Sequence, residues 1–589
     1  MELSHALVDA VWRPKFLVEW EGGRLGRWLD TSTHLVGPLP WDLSPLNPKN
    51  RVDALHKANA GWRIDGATVC GTRFFAVPLT LLPALPPLGI FVFLPDQTTF
   101  PPALRATLDA SASVPLRSGP AIANLAISRH ICRALDHQCR TNPSVLRRYR
   151  SLPFGSELVF EKLASDPADM QLTVVPNHAF ERKTLGLDAL RKLWSDIPPD
   201  AWPAEVDLLS LRLVRQIHDT VCLAKSPGFD GIVVFKSAVG SVDHMYHELR
   251  FLLTIPPHPN LMPRPLAVVT KRSAFGGKRG VVGFLLRYFA GGSLRDILPA
   301  RQRAETLPVH VKLGWCRQVV AALVHIREAA GTFYSDLRPD NVLLGDDGGV
   351  VVCDFEQRGN WHEWCAPEVL FRQYAENIRA ALSRSGDDDS RPDRASCYRR
   401  LLAGYAPPAH LIETPVQAAN RAWFLLPAAA QEKAAVYSAG LFIYAVFEGL
   451  CNVRRNIANQ WPIDPDIEFP AVRNTPAAVM DLVKHCTDGA VEWTGQGDGK
   501  RRPGRVVREG AVLYPEEAAE GRRDLEFGTA ATAAAVLDAA HAWWSAELAR
   551  AERFLESDEW RSQEFGRGRP SLQQVLQILD QDELKGTEL

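Results

Sequence analysis

Three oxygen-bearing side chains, Asp336, Asn341 and Asp354, sit in a stretch that is otherwise apolar strand and Gly-rich turn. The run Asn341-Val-Leu-Leu344, the turn Gly345-Asp-Asp-Gly-Gly349 and the run Val350-Val-Val-Cys-Asp354 read as a β-hairpin, because Asp and Gly supply the backbone conformations a tight reversal needs. A turn centred on Asp347-Gly348 predicts that Asn341 faces Asp354 at one end of the ladder. Cross-strand neighbours lie about 5 Å apart, so an amide oxygen and a carboxylate there would converge on an oxygen-seeking Mg²⁺ together with phosphate. Asp336 lies on the loop that enters this hairpin, five positions before Asn341 and after a helix predicted to end near Ala330. It is placed to act as a base.

A second pair of charges lies upstream. The run Gly231 to Val239 predicts a strand in which Ile232, Val234 and Lys236 share one face, which sets an ammonium on its apolar side. The next segment carries Val242, Met245, Tyr246, Leu249, Leu252 and Leu253 at helical spacing, with Ser241 to cap it and Pro256-Pro257 to stop it. Glu248 falls on the inward stripe of that helix. Each charge needs a partner, since a buried unpaired ion costs roughly several kcal/mol, and Lys236 and Glu248 are expected to meet. The bland alternative is that each snorkels to solvent on its own.

The elements that position these groups belong to a chain of 589 residues, with 67 Lys+Arg against 68 Asp+Glu and a formal net charge of −1. That balance gives no footing for a nucleic-acid or acidic-membrane binder. With 46% apolar and 23% charged residues the composition is that of a folded globular protein. Ten cysteines lie scattered without a C-x-x-C pair, and the N-terminus lacks the apolar run of a signal peptide; an intracellular setting, cytoplasm or nucleus, is expected. His130, Cys132, His137 and Cys139 could hold zinc but read better as an amphipathic helix. The 22 residues from Phe74 to Pro95 carry no charge, yet Pro78, Pro83, Pro86 and Pro87 interrupt them, so they predict buried strands and loops and not a membrane span. The Pro- and Trp-bearing stretch Ile197 to Pro203 is the best boundary. It separates an α/β domain of unknown role, 1–200, from the remainder, 201–589.

In that remainder the motifs, taken in order, resemble the protein kinase superfamily. Val233-Val-Phe-Lys236 resembles the strand lysine motif, and Glu248 the C-helix glutamate. Tyr334-Ser-Asp-Leu-Arg-Pro-Asp-Asn341 resembles the H-R-D catalytic loop, and Asp354-Phe-Glu356 stands for D-F-G. Ala366-Pro-Glu368 matches A-P-E, and Arg569-Pro-Ser571 looks like the late arginine segment. The surrounding wording looks like divergent kinase-like proteins of fungi. The resemblance implies a bilobal α+β kinase-like fold, upper lobe about 205–290 and lower lobe about 291–580, with insertions about 371–432 and 488–566. It implies ATP and Mg as cofactors: Lys236 on the α- and β-phosphates, oriented by Glu248; Asp336 as base beside Arg338; Asn341 and Asp354 on Mg²⁺. Leu286, Tyr288 and Ser293 would grip adenine at the gatekeeper and hinge. Glu368 and Arg569 would form a buried pair bracing the lower lobe.

The departures bear on function. The phosphate-covering turn reads Arg215-Gln-Ile-His-Asp-Thr-Val221, without glycine, which weakens phosphate approach. Glu356 replaces the D-F-G glycine, Tyr334 the histidine, Ser335 the arginine and Ala435 a buried aspartate. Glu368 follows Asp354 by only 14 positions, with no Ser, Thr or Tyr between them, so this segment cannot be switched by its own phosphorylation. Residues 386–394 read as an acidic loop, and Ala530 to Leu555 as a long helix whose Trp543 and Trp544 are packing residues in preference to a partner surface. Phosphoryl transfer to protein Ser/Thr hydroxyls is the leading expectation. A pseudokinase scaffold that binds a protein partner and a small-molecule kinase are the alternatives.

Overall fold

The structure is a computed structural model that describes residues 11–21 except 15, 61–94 except 68–72, 113–115, 122–124, 126–237 except 165, 242–356 except 275, 362–384, 421–494 except 456 and 458–466, 503–509, 512–516 and 533–581. The Ser241 cap, the acidic loop 386–394, positions 357–361 of the activation segment and most of the first insertion lie outside the described residues.

The architecture is α+β. A six-stranded sheet runs in the order Ala204–Asp207, Ala267–Arg272, Arg279–Arg287, Val233–Ser237, Val221–Lys225 and Arg212–Gln216. Its first pair is parallel and the others are antiparallel. The helix Val242–Thr254 buries the expected stripe, Glu248 included. Below lie the helices Leu294–Arg303, Val309–Ala330, Pro367–Arg384, Ala428–Glu448 and Ala477–Cys486, with the hairpin Val342–Leu344 and Val350–Val352. Val309–Ala330 ends where Gly331 takes φ +60°, a left-handed cap that a Cβ would oppose. Leu572–Leu579 begins at a capping box of Ser571 and Gln574.

The N-terminal part forms a five-stranded mixed sheet: Trp62–Ala67, Arg73–Pro78, Phe91–Phe93, Glu157–Phe160 and Leu172–Val175. The uncharged run from Phe74 therefore enters as buried strands. Among the described residues no helix is long and apolar enough to cross a membrane. His130 and Cys132 lie on the helix Ala126–Thr141, where His130 Nε2 meets the Ala164 carbonyl at 2.8 Å. Burial pushes the Cys132 thiol up to about 12. Among the described residues eight cysteines carry no disulfide.

Across residue 200 the core is continuous. Leu213 N–H donates to Leu85 O at 2.7 Å, and Gln216 N–H to the Asp65 carboxylate at 2.7 Å. Lys271 Nζ meets Glu181 at 2.5 Å, both buried. Phe154 packs edge-on against Phe235 at 6.2 Å. The N-terminal layer thus covers the Phe235 face of the Val233–Ser237 strand. That explains a difference from the alternation reading: Val233 and Phe235 are the buried apolar residues, while Val234, on the face of Lys236, is half-buried.

The helix Ala533–Leu555 packs on Pro367–Arg384 through Tyr374 against Trp544 at 5.2 Å and Phe371 against Phe554 at 5.4 Å. Trp544 is buried and Trp543 half-buried, as packing residues are. Nearby, Arg569 and Glu368, each with a side chain 2% exposed, form a two-pronged pair at 2.6 and 3.2 Å. Arg569 also donates to Asp488 O at 2.8 Å. Arg569→Ala strands a buried carboxylate, and urea titration is expected to show a loss of about 3–5 kcal/mol.

Candidate active site

Lys236 projects from its strand toward three carboxylates, two of them buried and Asp354 partly open. Its Nζ lies 2.7 Å from Glu248, 2.5 Å from Asp354 and 3.4 Å from Glu356. The expected Lys236 and Glu248 contact is formed, and two further acids join it. Burial alone would lower the lysine's pKa; Asp354, Glu248 and Glu356 outweigh it and hold the ammonium well above its usual value. Glu248 is pushed up to about 7, first by burial and then by its acidic neighbours, against the pull of Lys236. Its Oε1 also accepts the Phe355 N–H at 3.1 Å, which ties the helix to the D-F-E segment.

The hairpin register differs from the sequence expectation by one residue. Val342 pairs with Val352 and Leu344 with Val350, so Asn341 is opposite Cys353, whose N–H donates to Asn341 O at 2.9 Å, and not opposite Asp354. The turn is a five-residue loop, Gly345 to Gly349, closed by Gly345 N–H to Gly349 O at 2.7 Å. A slip of one would ordinarily send a side chain to the other face. Asp354 lies beyond the ladder and takes φ +65°, outside the strand alternation, and its carboxylate reaches Lys236. A non-glycine residue in this region is uncommon and held only by strong surroundings.

Asp336 is the centre of a second cluster. Asn341 Nδ2 donates to its carboxylate and to its backbone carbonyl, both at 2.9 Å. Arg338 lies 3.3 Å from Asp336 and 3.3 Å from Asp340. Burial raises the Asp336 carboxyl to about 6; Arg338 pulls it down, and Asp354 pushes it up. Tyr334, in the histidine's place, donates its hydroxyl to Cys353 O at 2.6 Å and packs edge-on to Phe355 at 5.5 Å. Phe355 stacks on Phe251 at 4.6 Å. Cys353 is a packing residue whose thiol burial pushes up.

Cross-strand pairs define the face Lys236 occupies. It is opposite Val221 and Phe284, and Val234 is opposite Leu223 and Leu286, so Leu286 shares that face. Tyr288, half-buried, follows the strand. Ser293 begins the helix Leu294–Arg303 and bridges to Leu343, while Leu344 N–H donates to Gly292 O at 2.9 Å. The connector thereby runs along the hairpin that carries Asn341. Sequence reading put Val234 on the face of Lys236 but missed half-buried Leu223 and Leu343, which period-two spacing could have marked. It also missed that Glu356 reaches Lys236.

No protein-family model matches the chain. It is 27% identical over 187 residues to the CBL-interacting serine/threonine-protein kinase 12 of Arabidopsis thaliana, covering 28% of this chain and 33% of that one. It is 24% identical over 213 residues to the serine/threonine-protein kinase PknD of Chlamydia muridarum, covering 36% and 21%. Against the serine/threonine-protein kinase pak-1 of Caenorhabditis elegans it is 34% identical over 110 residues, covering 16% and 18%. The chain thus spans a third or less of these relatives' length. A plant, a bacterium and a nematode lend no support to the fungal affinity in the motif wording. Distant and partial as they are, these similarities to serine/threonine kinases support membership of the chain in the protein kinase superfamily.

Proposed function

We propose that the chain transfers a phosphoryl group from Mg²⁺-bound ATP to protein Ser/Thr hydroxyls, without phosphorylation of its own activation segment as a switch. The observation that carries this reading is the convergence at Lys236, where a strand lysine meets Glu248 and Asp354 within 2.7 Å. Lys236 would hold the α- and β-phosphates and Glu248 would fix its direction. Asn341 engages its amide nitrogen on Asp336, which leaves its amide oxygen for a cation, and the Asp354 side chain keeps 36% of its surface open. This oxygen-only donor set suits a hard cation, which when bound would offset charge on the transferred phosphoryl group. Asp336, ionised above about pH 6 and steered by Asn341 and Arg338, would take the hydroxyl proton. Leu223, Val234 and Leu286 above, with Leu343, Tyr288 and Ser293 below and beside them, would enclose adenine.

A second reading, a binding module that has lost productive nucleotide binding, draws on Glu356 at 3.4 Å from Lys236 and on the glycine-free turn at His218, Asp219 and Thr220. Thermal unfolding with ATP and MgCl₂ separates the two. At 100 times the dissociation constant the ligand is expected to stabilise the chain by about 2.7 kcal/mol. Absence of any shift at millimolar nucleotide removes the enzyme reading.

A further inference from the structure

We infer that the segment Thr184 to Trp202 of the N-terminal part is a built-in clamp that holds Glu248 against Lys236, with Tyr246 as the positioning residue. Tyr246 lies two positions before Glu248 on the helix Val242–Thr254. Its hydroxyl accepts the Leu185 N–H at 2.7 Å and donates to Val281 O at 3.0 Å. Leu185 O in turn accepts the Val281 N–H at 2.8 Å. Three hydrogen bonds thus close a triangle of helix, sheet strand and N-terminal segment at one point. The Tyr246 ring meets Trp194 edge-on at 6.2 Å, and Trp194 stacks on Trp202 at 5.6 Å. One helical turn beyond, Arg250 pairs with Asp196 at 2.9 Å. Gly280 permits the approach, since a Cβ there would lie 2.1 Å from Thr184 Oγ1.

The consequence follows from geometry. Residues 246 and 250 are on the side of the helix that the N-terminal segment grips, and 248 is on the side that faces the sheet lysine. A helix is stiff over one turn, so fixing Tyr246 fixes the rotation of the helix and with it the reach of Glu248. A segment that cannot carry an activating phosphate between Asp354 and Glu368 has no need of one if the helix is held from outside the two lobes. The functional meaning of the clamp rests on the phosphoryl-transfer reading; its physical existence does not.

The test uses the full chain and Tyr246→Phe, which removes the hydroxyl and keeps the ring on Trp194. The readout is amide exchange at Phe355, whose N–H rests on Glu248 Oε1, measured without nucleotide. Protection there is expected to fall roughly threefold to tenfold, the factor that loss of a buried hydrogen bond carries. In a Glu248→Ala background, which has no acceptor for the Phe355 amide, the same change is expected to add nothing at Phe355. Gly280→Ala, which pushes Thr184 away, is expected to reproduce the loss. If Phe355 protection stays at the wild-type level while the Leu185 amide becomes exposed, the hydroxyl serves local packing alone and the clamp is overturned. If protection falls while the wild-type chain shows no nucleotide shift, the clamp stands and the enzyme reading fails.

Discussion

Lys236→Met is expected to lower the unfolding free energy by about 3–5 kcal/mol, beyond any effect on nucleotide binding, because it removes the cation shared by three carboxylates. Glu248 and Glu356 are buried, so water cannot replace the ammonium they lose. The pH dependence has a fixed sign. Glu248 already titrates near 7 in the folded chain, above its ordinary value, and without Lys236 it must rise further. A carboxyl raised on folding supports the fold while it is protonated and loses that support as pH climbs through its folded pKa. The deficit of Lys236→Met is therefore expected to be small at pH 5 and to grow toward pH 8, as followed by urea titration at both. Adding Glu248→Gln should recover part of it at pH 8. A deficit that is the same at both values would show that lost side-chain packing, and not stranded charge, sets the cost.

Asp336→Asn is expected to reduce phosphoryl transfer by about 10²–10⁴-fold while the nucleotide-induced thermal shift stays as in the wild type. The change keeps the side chain's shape and an oxygen for Asn341 Nδ2, and removes the atom that would take the proton. In the wild type the rate is expected to fall as pH drops below about 6, where the carboxyl becomes protonated, and the variant's residual rate should lack that limb. Single-turnover transfer from labelled ATP to a Ser/Thr peptide array, with the shift measured on the same preparations, supplies both numbers. Full activity in the variant would exclude Asp336 as the base.

How much of this was legible in the sequence depended on whether local periodicity or three-dimensional convergence determined the feature. Glu248 could be placed inward because the apolar spacing of its helix is regular, and Lys236 because strand side chains alternate. The hairpin between Asn341 and Asp354 was legible as a hairpin, but its register turned on whether Gly345 to Gly349 form a loop of odd or even length, which composition does not specify. The left-handed turn at Asp354, which brings its carboxylate to Lys236, leaves no signature in a residue that is not glycine. Glu356 was legible only as the residue in the place of the D-F-G glycine; that it bends back to Lys236 depends on the path of Phe355 between Phe251 and Tyr334. The contacts of Tyr246 with Leu185 and Trp194 span more than 50 positions and involve a backbone amide, so no pattern in the helix itself could have announced them.

The indole of Trp544 donates to Val11 O at 2.7 Å, a contact between residues 533 positions apart. At about 5–20 residues per second on a ribosome, roughly 30 to 110 s pass between the emergence of the two. Throughout that interval Val11 has no indole to rest on and the helix Phe16–Glu21 lacks Ala533–Leu555 to pack against, so this corner of the fold is completed only after residue 544 has emerged.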